Sequence, residues 1–145
     1  MTNARRIRTV LLALSLTLVL SPMSPATASV VTLGKRCEGV SAVRCAWVNH
    51  DTTYNRVRGY GSIQDKTSGT DAVRVSVTLA RWNPSYERYE TVSSSSQASG
   101  YEQAQAGTGL VTCADGQMFR AEAVWEWNGT DAGRVRSSAV VIYYC

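Results

Sequence analysis

The chain has 145 residues and a formal net charge of +4, from 15 Lys+Arg and 11 Asp+Glu. Three of the arginines lie in the first 28 residues, which contain no acidic residue, so the remainder has 12 basic and 11 acidic residues and a net charge of +1. Nucleic-acid binding normally requires a strong, clustered basic excess, so the composition excludes it.

The N-terminal 28 residues have the layout of a secretory signal peptide. Arginines at positions 5, 6 and 8 precede the apolar run Val10–Leu20, and the small-residue triplet Ala26–Ala28 fits a cleavage site. The run is shorter than the roughly 20 residues that a membrane-spanning helix needs, and no later segment approaches that length. We therefore predict cleavage after Ala28. The product is a single secreted domain, 29–145, without a membrane span, either free in the medium or associated with the cell envelope.

Alternating apolar and polar residues predict β-strands along this domain. The alternation is clearest in Val73–Leu79 and Met118–Trp127, and the apolar end of Val135–Tyr144 predicts a central strand covered on both faces. Weaker patterns predict strands at Ala42–Val48, Val57–Ile63, Tyr86–Val92 and Tyr101–Ala106. Turn residues separate these runs and no helical stripe is present. The predicted fold is all-β, an antiparallel β-sandwich or barrel of about seven or eight strands.

The four cysteines, all in the mature domain, predict two disulfides. Cys37 and Cys45 flank a short segment able to turn tightly, and Cys113 and Cys145 become neighbours across a hairpin centred near residue 130. We predict the pairs Cys37–Cys45 and Cys113–Cys145. Zinc is not expected, because the chain has one histidine and no C-x-x-C motif.

The residues offer little for catalysis, and we predict that the protein is not an enzyme. His50 lies alone in a predicted turn, and no nucleophile, phosphate-loop or metalloprotease motif is present. Glu122 and Glu126 would lie about 13 Å apart on one strand, too far for either glycosidase geometry. The oxygen-rich segment Asp65–Asp71 lacks the spacing of a known calcium loop and is interpreted as a turn. No metal or cofactor is therefore predicted.

Aromatic residues provide the most informative functional pattern. The domain contains four Trp, seven Tyr and one Phe, and Trp and Tyr suit half-exposed interfaces. Trp125 and Trp127 share a strand face with Phe119 and are predicted to pack in the core. A second cluster, between residues 81 and 89, combines aromatic rings with arginines, the types enriched in binding hot spots. The predicted binding residues are Trp82, Tyr86, Arg88 and Tyr89.

In size, export signal and number of disulfides, the chain resembles the small secreted proteins of actinomycetes. These include inhibitors of extracellular hydrolases and the apoproteins that carry enediyne antibiotics, and the tetrapeptide Cys45-Ala46-Trp47-Val48 looks like a fragment found in the latter. The resemblance is one of class; it implies the architecture and assigns no functional residue.

Three functional hypotheses follow from these observations. The first is a secreted binding protein that contacts another protein, as a hydrolase inhibitor or the small subunit of an exported assembly. An inhibitor would present the Cys37–Cys45 loop, with Glu38 to Arg44 exposed. The second is a carbohydrate- or cell-wall-binding module with coplanar exposed rings, for example Tyr60, Tyr101 or Tyr144. The third is a structural surface protein that self-associates through the apolar strand end 139–144.

Overall fold

The computed structural model describes residues 29–129 and 131–145, so the predicted signal peptide, 1–28, lies outside the described residues. The described chain forms eleven strands. They are β1 (Val30–Glu38), β2 (Ala42–Asp51), β3 (Arg56–Asp65), β4 (Ala72–Asn83), β5 (Arg88–Ser94), β6 (Ala98–Tyr101), β7 (Gln103–Gly107), β8 (Val111–Thr112), β9 (Gln117–Trp127), β10 (Asp131–Arg136) and β11 (Val140–Ile142). None of the described segments forms a helix long and apolar enough to cross a membrane.

The strands form two antiparallel sheets that face each other. The first sheet has the order β1-β2-β3-β7, with β8 also beside β3. The second has the order β10-β9-β4-β5, with β6 also beside β4 and β11 beside β9. Within the described residues no strand ladder closes the two sheets into a barrel, so the sandwich alternative of the predicted fold is correct. The strand count exceeds the prediction, because short edge strands were not anticipated.

The core lies between the two sheets and follows the predicted alternation of β4 and β9. Side chains at every second position of these strands are buried, namely Val73, Val75, Val77, Leu79, Phe119, Ala121, Ala123 and Trp125. Opposite them, β3 contributes Val57 and Ile63, with glycines at positions 59 and 61 between them. A Cβ atom built on Gly61 would lie 2.5 Å from the Cβ of Ala123. Gly61 therefore allows the two sheets to approach closely.

Two strand predictions are corrected by the structure, and one strand was missed. Segment 135–144 is not the predicted central strand: it is divided between β10 and β11, and both pair with β9 alone at the edge of the second sheet. The chain leaves this edge at Ser138, whose N–H donates to Gly34 O in the first sheet at 2.9 Å. Segment 101–106 is divided at Glu102, which has a left-handed φ of 64°. There the chain crosses from β6 in the second sheet to β7 in the first. Strand β1 was not predicted, because its side chains are mostly exposed and show no apolar alternation.

The disulfides join Cys37 to Cys45 and Cys113 to Cys145, the pairs predicted from the sequence. Cys37 and Cys45 are direct cross-strand partners in β1 and β2, with Cα atoms 4.1 Å apart. The Cα atoms of Cys113 and Cys145 are 5.8 Å apart, because β11 returns along β9. Two disulfides indicate an oxidising environment, as found outside the cell.

Substituting Gly61→Ala is expected to lower the free energy of unfolding by about 1–3 kcal/mol, because the added methyl overlaps Ala123 and Val77 in the opposite sheet. Urea unfolding of the oxidised protein measures this change. Ser62→Ala, at the neighbouring position on the other face of β3, is the control and should change stability much less. A Gly61→Ala protein as stable as the wild type would contradict the close approach of the sheets.

The two disulfides are expected to contribute unequally to stability. Removing Cys113–Cys145, with a sequence separation of 32, should lower the free energy of unfolding by roughly 3–4 kcal/mol. Removing Cys37–Cys45, with a separation of 8, should lower it by roughly 2–3 kcal/mol. Urea unfolding of the two double Cys→Ala variants tests this order, and a larger loss for the shorter loop would contradict it.

Candidate functional site

The hairpin formed by β4 and β5 brings the four predicted binding residues together. Its connecting residues, 84–87, are ordered by Asn83, whose Oδ1 accepts the Ser85 N–H at 3.0 Å. The backbone oxygen of Asn83 also accepts the Tyr86 N–H, at 3.3 Å. Glu87 adopts a left-handed φ of 50°, which turns the chain into β5. The Tyr86 side chain is 66% exposed at the tip of this hairpin.

A packed aromatic pair lies in the two strands that flank the hairpin loop. Trp82 and Tyr89 are cross-strand partners, and their rings meet edge to face with centroids 5.2 Å apart. The Tyr89 hydroxyl donates to the sulfur of Met118 at 2.9 Å. The guanidinium of Arg120 lies 4.1 Å from the Tyr89 ring centroid. Met118 and Arg120 belong to β9, on the far side of β4, so this strand restrains the half-buried Tyr89 ring, which packs against the half-buried Trp82 ring.

Charged groups hold the tip in place. The Arg88 guanidinium lies 5.1 Å from the Tyr86 ring centroid and donates to Glu90 Oε1 at 3.1 Å. The other oxygen of Glu90 accepts the Asn83 Nδ2 group at 2.9 Å. These hydrogen bonds, first that from Asn83 and then that from Arg88, lower the pKa of Glu90. The carboxylate therefore remains ionised into the acidic range and links the two strands of the hairpin.

A cleft of about 530 Å³ lies beside the hairpin. Trp82 and Glu90 line one wall, and residues 115–118 line the other. The second wall is fixed by the chain end, because the Cys145 N–H donates to Asp115 Oδ1 at 2.6 Å and the Gly116 N–H donates to Ile142 O at 2.7 Å. The Cys113–Cys145 disulfide also joins the chain end to this second wall. The cleft between the two walls is a concave surface bounded by aromatic, amide and carboxylate groups.

The Cys37–Cys45 loop differs from the exposed inhibitor loop expected from the sequence. Val40 is 90% exposed at its tip, but Ala42 is buried. Arg44 is half-buried, with its guanidinium 4.1 Å from the Trp125 ring centroid and its Nε donating to Ala42 O at 2.8 Å. The expectation that the whole segment from Glu38 to Arg44 is exposed is therefore wrong. Its side chain is held by the indole of Trp125, which is buried in agreement with the sequence prediction.

His50 is also placed differently from its prediction as a turn residue. It lies within β2, is 6% exposed, and its Nε2 is 3.7 Å from Cys145 Sγ. His50, Cys113 and Cys145 have three potential metal-ligand atoms within 4.8 Å of one another. Both sulfurs are joined in the disulfide, so neither is a thiolate able to bind a metal.

The structure reveals an aromatic stack that the sequence did not predict. Trp47 and Tyr60 are cross-strand partners on the outer face of the first sheet, with centroids 5.5 Å apart and planes inclined by 9°. Lys35 Nζ lies 5.2 Å from the Trp47 ring centroid. Gly107 lies so close to the Tyr60 ring that a Cβ atom there would be 2.7 Å away. The rings thus cover each other's faces instead of forming the open coplanar platform that sugar stacking requires.

Glu90→Gln is expected to destabilise the hairpin near neutral pH and to have less effect in acid. A carboxylate with a lowered folded pKa stabilises the protein above its unfolded pKa, and this contribution is lost as the pH falls through the folded value. The difference in Tm between wild type and Glu90→Gln should therefore shrink between about pH 5 and pH 2. Glu87→Gln is the matched control. A Tm difference independent of pH would contradict this role for Glu90.

We compared the chain with models of protein families, with curated proteins and with solved structures, and none of the three comparisons found a match. What is established is therefore a small all-β protein with two disulfides and two antiparallel sheets.

Proposed function

We propose that this protein is a secreted, non-enzymatic binding protein that contacts another protein through the tip of the β4–β5 hairpin. The contact residues are Trp82, Tyr86, Arg88 and Tyr89. One observation carries the proposal: exposed Tyr86 and Arg88 lie in the same hairpin as the packed Trp82–Tyr89 pair, and Trp82 lines an open cleft.

Preorganisation favours binding at this hairpin. A partner that orders flexible side chains pays about 0.5–1.5 kcal/mol for each one that it immobilises. Here Glu90 and the Tyr86 ring already restrain Arg88, and Met118 and Arg120 restrain Tyr89. Trp, Tyr and Arg are the residue types that dominate binding energies in protein interfaces. The hairpin therefore offers a rigid anchor, and the cleft offers space for a complementary side chain or loop.

The charge around the site favours a protein partner over a polyanion. Arg81 and Arg88 are accompanied by Glu87, Glu90 and Asp115, so the surface has both signs of charge. Mixed charge with exposed aromatic rings is typical of protein interfaces, whereas polyanion sites have a uniform basic excess. A hydrolase inhibitor and the small subunit of an exported assembly are the two forms of the proposal.

Self-association is a second candidate, favoured by the position of β10 and β11. These strands form an edge of the second sheet, and Tyr143 and Tyr144, which follow β11, are strongly exposed. An unpaired sheet edge offers N–H and C=O groups to a second chain. Sedimentation velocity across a range of protein concentrations distinguishes this candidate, because a protein that binds only other partners remains monomeric.

The hairpin proposal is tested with the oxidised protein as bait for culture supernatant and solubilised envelope, followed by mass spectrometry. Tyr86→Ala/Arg88→Ala removes the two exposed contacts and should weaken binding of a specific partner by at least about 30-fold, the effect of losing one strong hot spot. Tyr101→Ala/Arg74→Ala removes the same residue types from a distant part of the second sheet and should retain the partner. Equal retention by both variants, or no retained protein with the wild type, would contradict the proposal.

A further inference from the structure

Arg81 lies near the end of β4, on the strand face that forms the core. Leu79, two residues earlier, is fully buried, and Arg81 pairs directly with the buried Phe119 of β9. Residues two apart in a strand, and direct cross-strand partners, lie on the same face of a sheet. The Arg81 side chain therefore belongs to the core-facing row of β4, at a position that lines the cleft beside the hairpin.

Arg81 has no charged partner within the described chain. Among residues 29–129 and 131–145, no carboxylate forms a salt bridge with its guanidinium. The arginines that form salt bridges or lie over aromatic rings are Arg44, Arg56, Arg58, Arg74, Arg88, Arg120, Arg134 and Arg136. Arg36 has neither contact, but it is exposed on the edge strand β1. Arg81 therefore differs from the other arginines, because it is half-buried and contacts neither an acid nor a ring.

The two carboxylates that line the same cleft already accept hydrogen bonds from other groups. Glu90 is the cross-strand partner of Arg81, but its two oxygens accept the Asn83 amide at 2.9 Å and the Arg88 guanidinium at 3.1 Å. On the second wall, Asp115 is exposed, and its Oδ1 accepts the N–H of the last residue at 2.6 Å. The half-buried charged group of the cleft that still lacks a partner is therefore a hydrogen-bond donor, the Arg81 guanidinium.

The rest of the cleft combines apolar walls with one further donor. Its apolar residues are Trp82, Pro84, Val92 and Met118. Gln117, on the second wall, accepts the Ala114 N–H with its Oε1 at 3.1 Å, which leaves its Nε2 group as a donor. The volume of about 530 Å³ lies within the range of roughly 300–1,000 Å³ that is typical of ligand pockets. A group that fills this space needs an acidic end for Arg81 and an apolar part for the walls.

We infer that the cleft binds a carboxylate of the partner protein, an aspartate or glutamate side chain next to an apolar residue, with Arg81 as its ion-pair partner. A planar guanidinium can form two parallel hydrogen bonds with a carboxylate, and such charge-assisted bonds are among the strongest in proteins. Partial removal of the pair from water strengthens it further. The inference rests on the proposed function, since it names the group that the partner presents beside the hairpin. It assigns this specificity to a residue outside the four hairpin contacts.

The charge preference of the cleft is tested with benzoate, benzamide and benzamidinium, which share one ring and are anionic, neutral and cationic, respectively. NMR titrations of the oxidised, ¹⁵N-labelled protein at matched ionic strength follow the Arg81 Nε–Hε and Trp82 indole signals. Benzoate should bind with a Kd on the order of 1–10 mM, and the other two probes at least about 10-fold more weakly. Benzamide or benzamidinium binding as tightly as benzoate, or no saturable shift with benzoate, would overturn the inference.

Variants of Arg81 test its role in the same titration. Arg81→Gln removes the charge and should weaken benzoate binding by about 10-fold or more. Arg81→Lys keeps the charge without the planar fork and should retain part of the affinity. Arg36→Gln, the matched control, should bind benzoate like the wild type. Unchanged binding by Arg81→Gln would overturn the inference, and unchanged NMR signals away from the cleft show that the variant is folded.

A selection of displayed random peptides tests whether a protein chain can supply the carboxylate. Peptides enriched on the wild type should contain Asp or Glu beside an apolar residue, and this enrichment should disappear on Arg81→Gln and remain on Arg36→Gln. Absence of acidic enrichment on the wild type, or the same enrichment on Arg81→Gln, would overturn the inference. Neither test uses the natural partner. The cleft assignment can therefore fail while Tyr86→Ala/Arg88→Ala still loses the partner, and the hairpin proposal can fail while benzoate binds through Arg81.

Discussion

The close approach of the two sheets is the constraint on which the rest of this structure depends. Gly61 in β3 faces Ala123 and Val77 so closely that even one additional methyl group has no space. This close contact at the centre of the sandwich fixes the distance between β3 and the β4–β9 strand pair. The ends of β4 then extend beyond the core in two directions. One end becomes the hairpin with its cleft, and the other begins after Asp71, whose backbone oxygen accepts the Glu102 N–H where the chain crosses from the second sheet to the first.

The two ends of β4 therefore have different chemical character. At Asn83 the strand leads to exposed aromatic and arginine side chains whose contacts are satisfied within the hairpin. At Ala72 it begins next to Asp71, whose carboxylate accepts the Trp127 indole N–H and the Asn128 amide.

The sequence predicted those features whose residues are close together in the chain. The alternation in β4 and β9 identified both strands, because each has one buried and one exposed face. The Cys37–Cys45 pair followed from the short segment between the two cysteines and the Cys113–Cys145 pair from the hairpin near residue 130, and the predicted binding residues lie within one hairpin. Strand β1 was missed because an edge strand buries few side chains. Arg44 and His50 were misplaced, since their surroundings are formed by Trp125 and Cys145, which are distant in sequence. The Trp47–Tyr60 stack requires strand register, which does not appear in the residue pattern.

The attachment of the chain end to the cleft has a consequence for maturation. One cleft wall is held by Cys145 through its disulfide to Cys113 and its hydrogen bond to Asp115, and the same disulfide attaches this wall to the core, because Cys113 is a core residue. Before the thiols are oxidised, the second wall therefore lacks its covalent attachment. If the cleft takes part in recognition, the newly made chain is inert toward its partner until oxidation. The last covalent step of folding would then also be the step that makes it active.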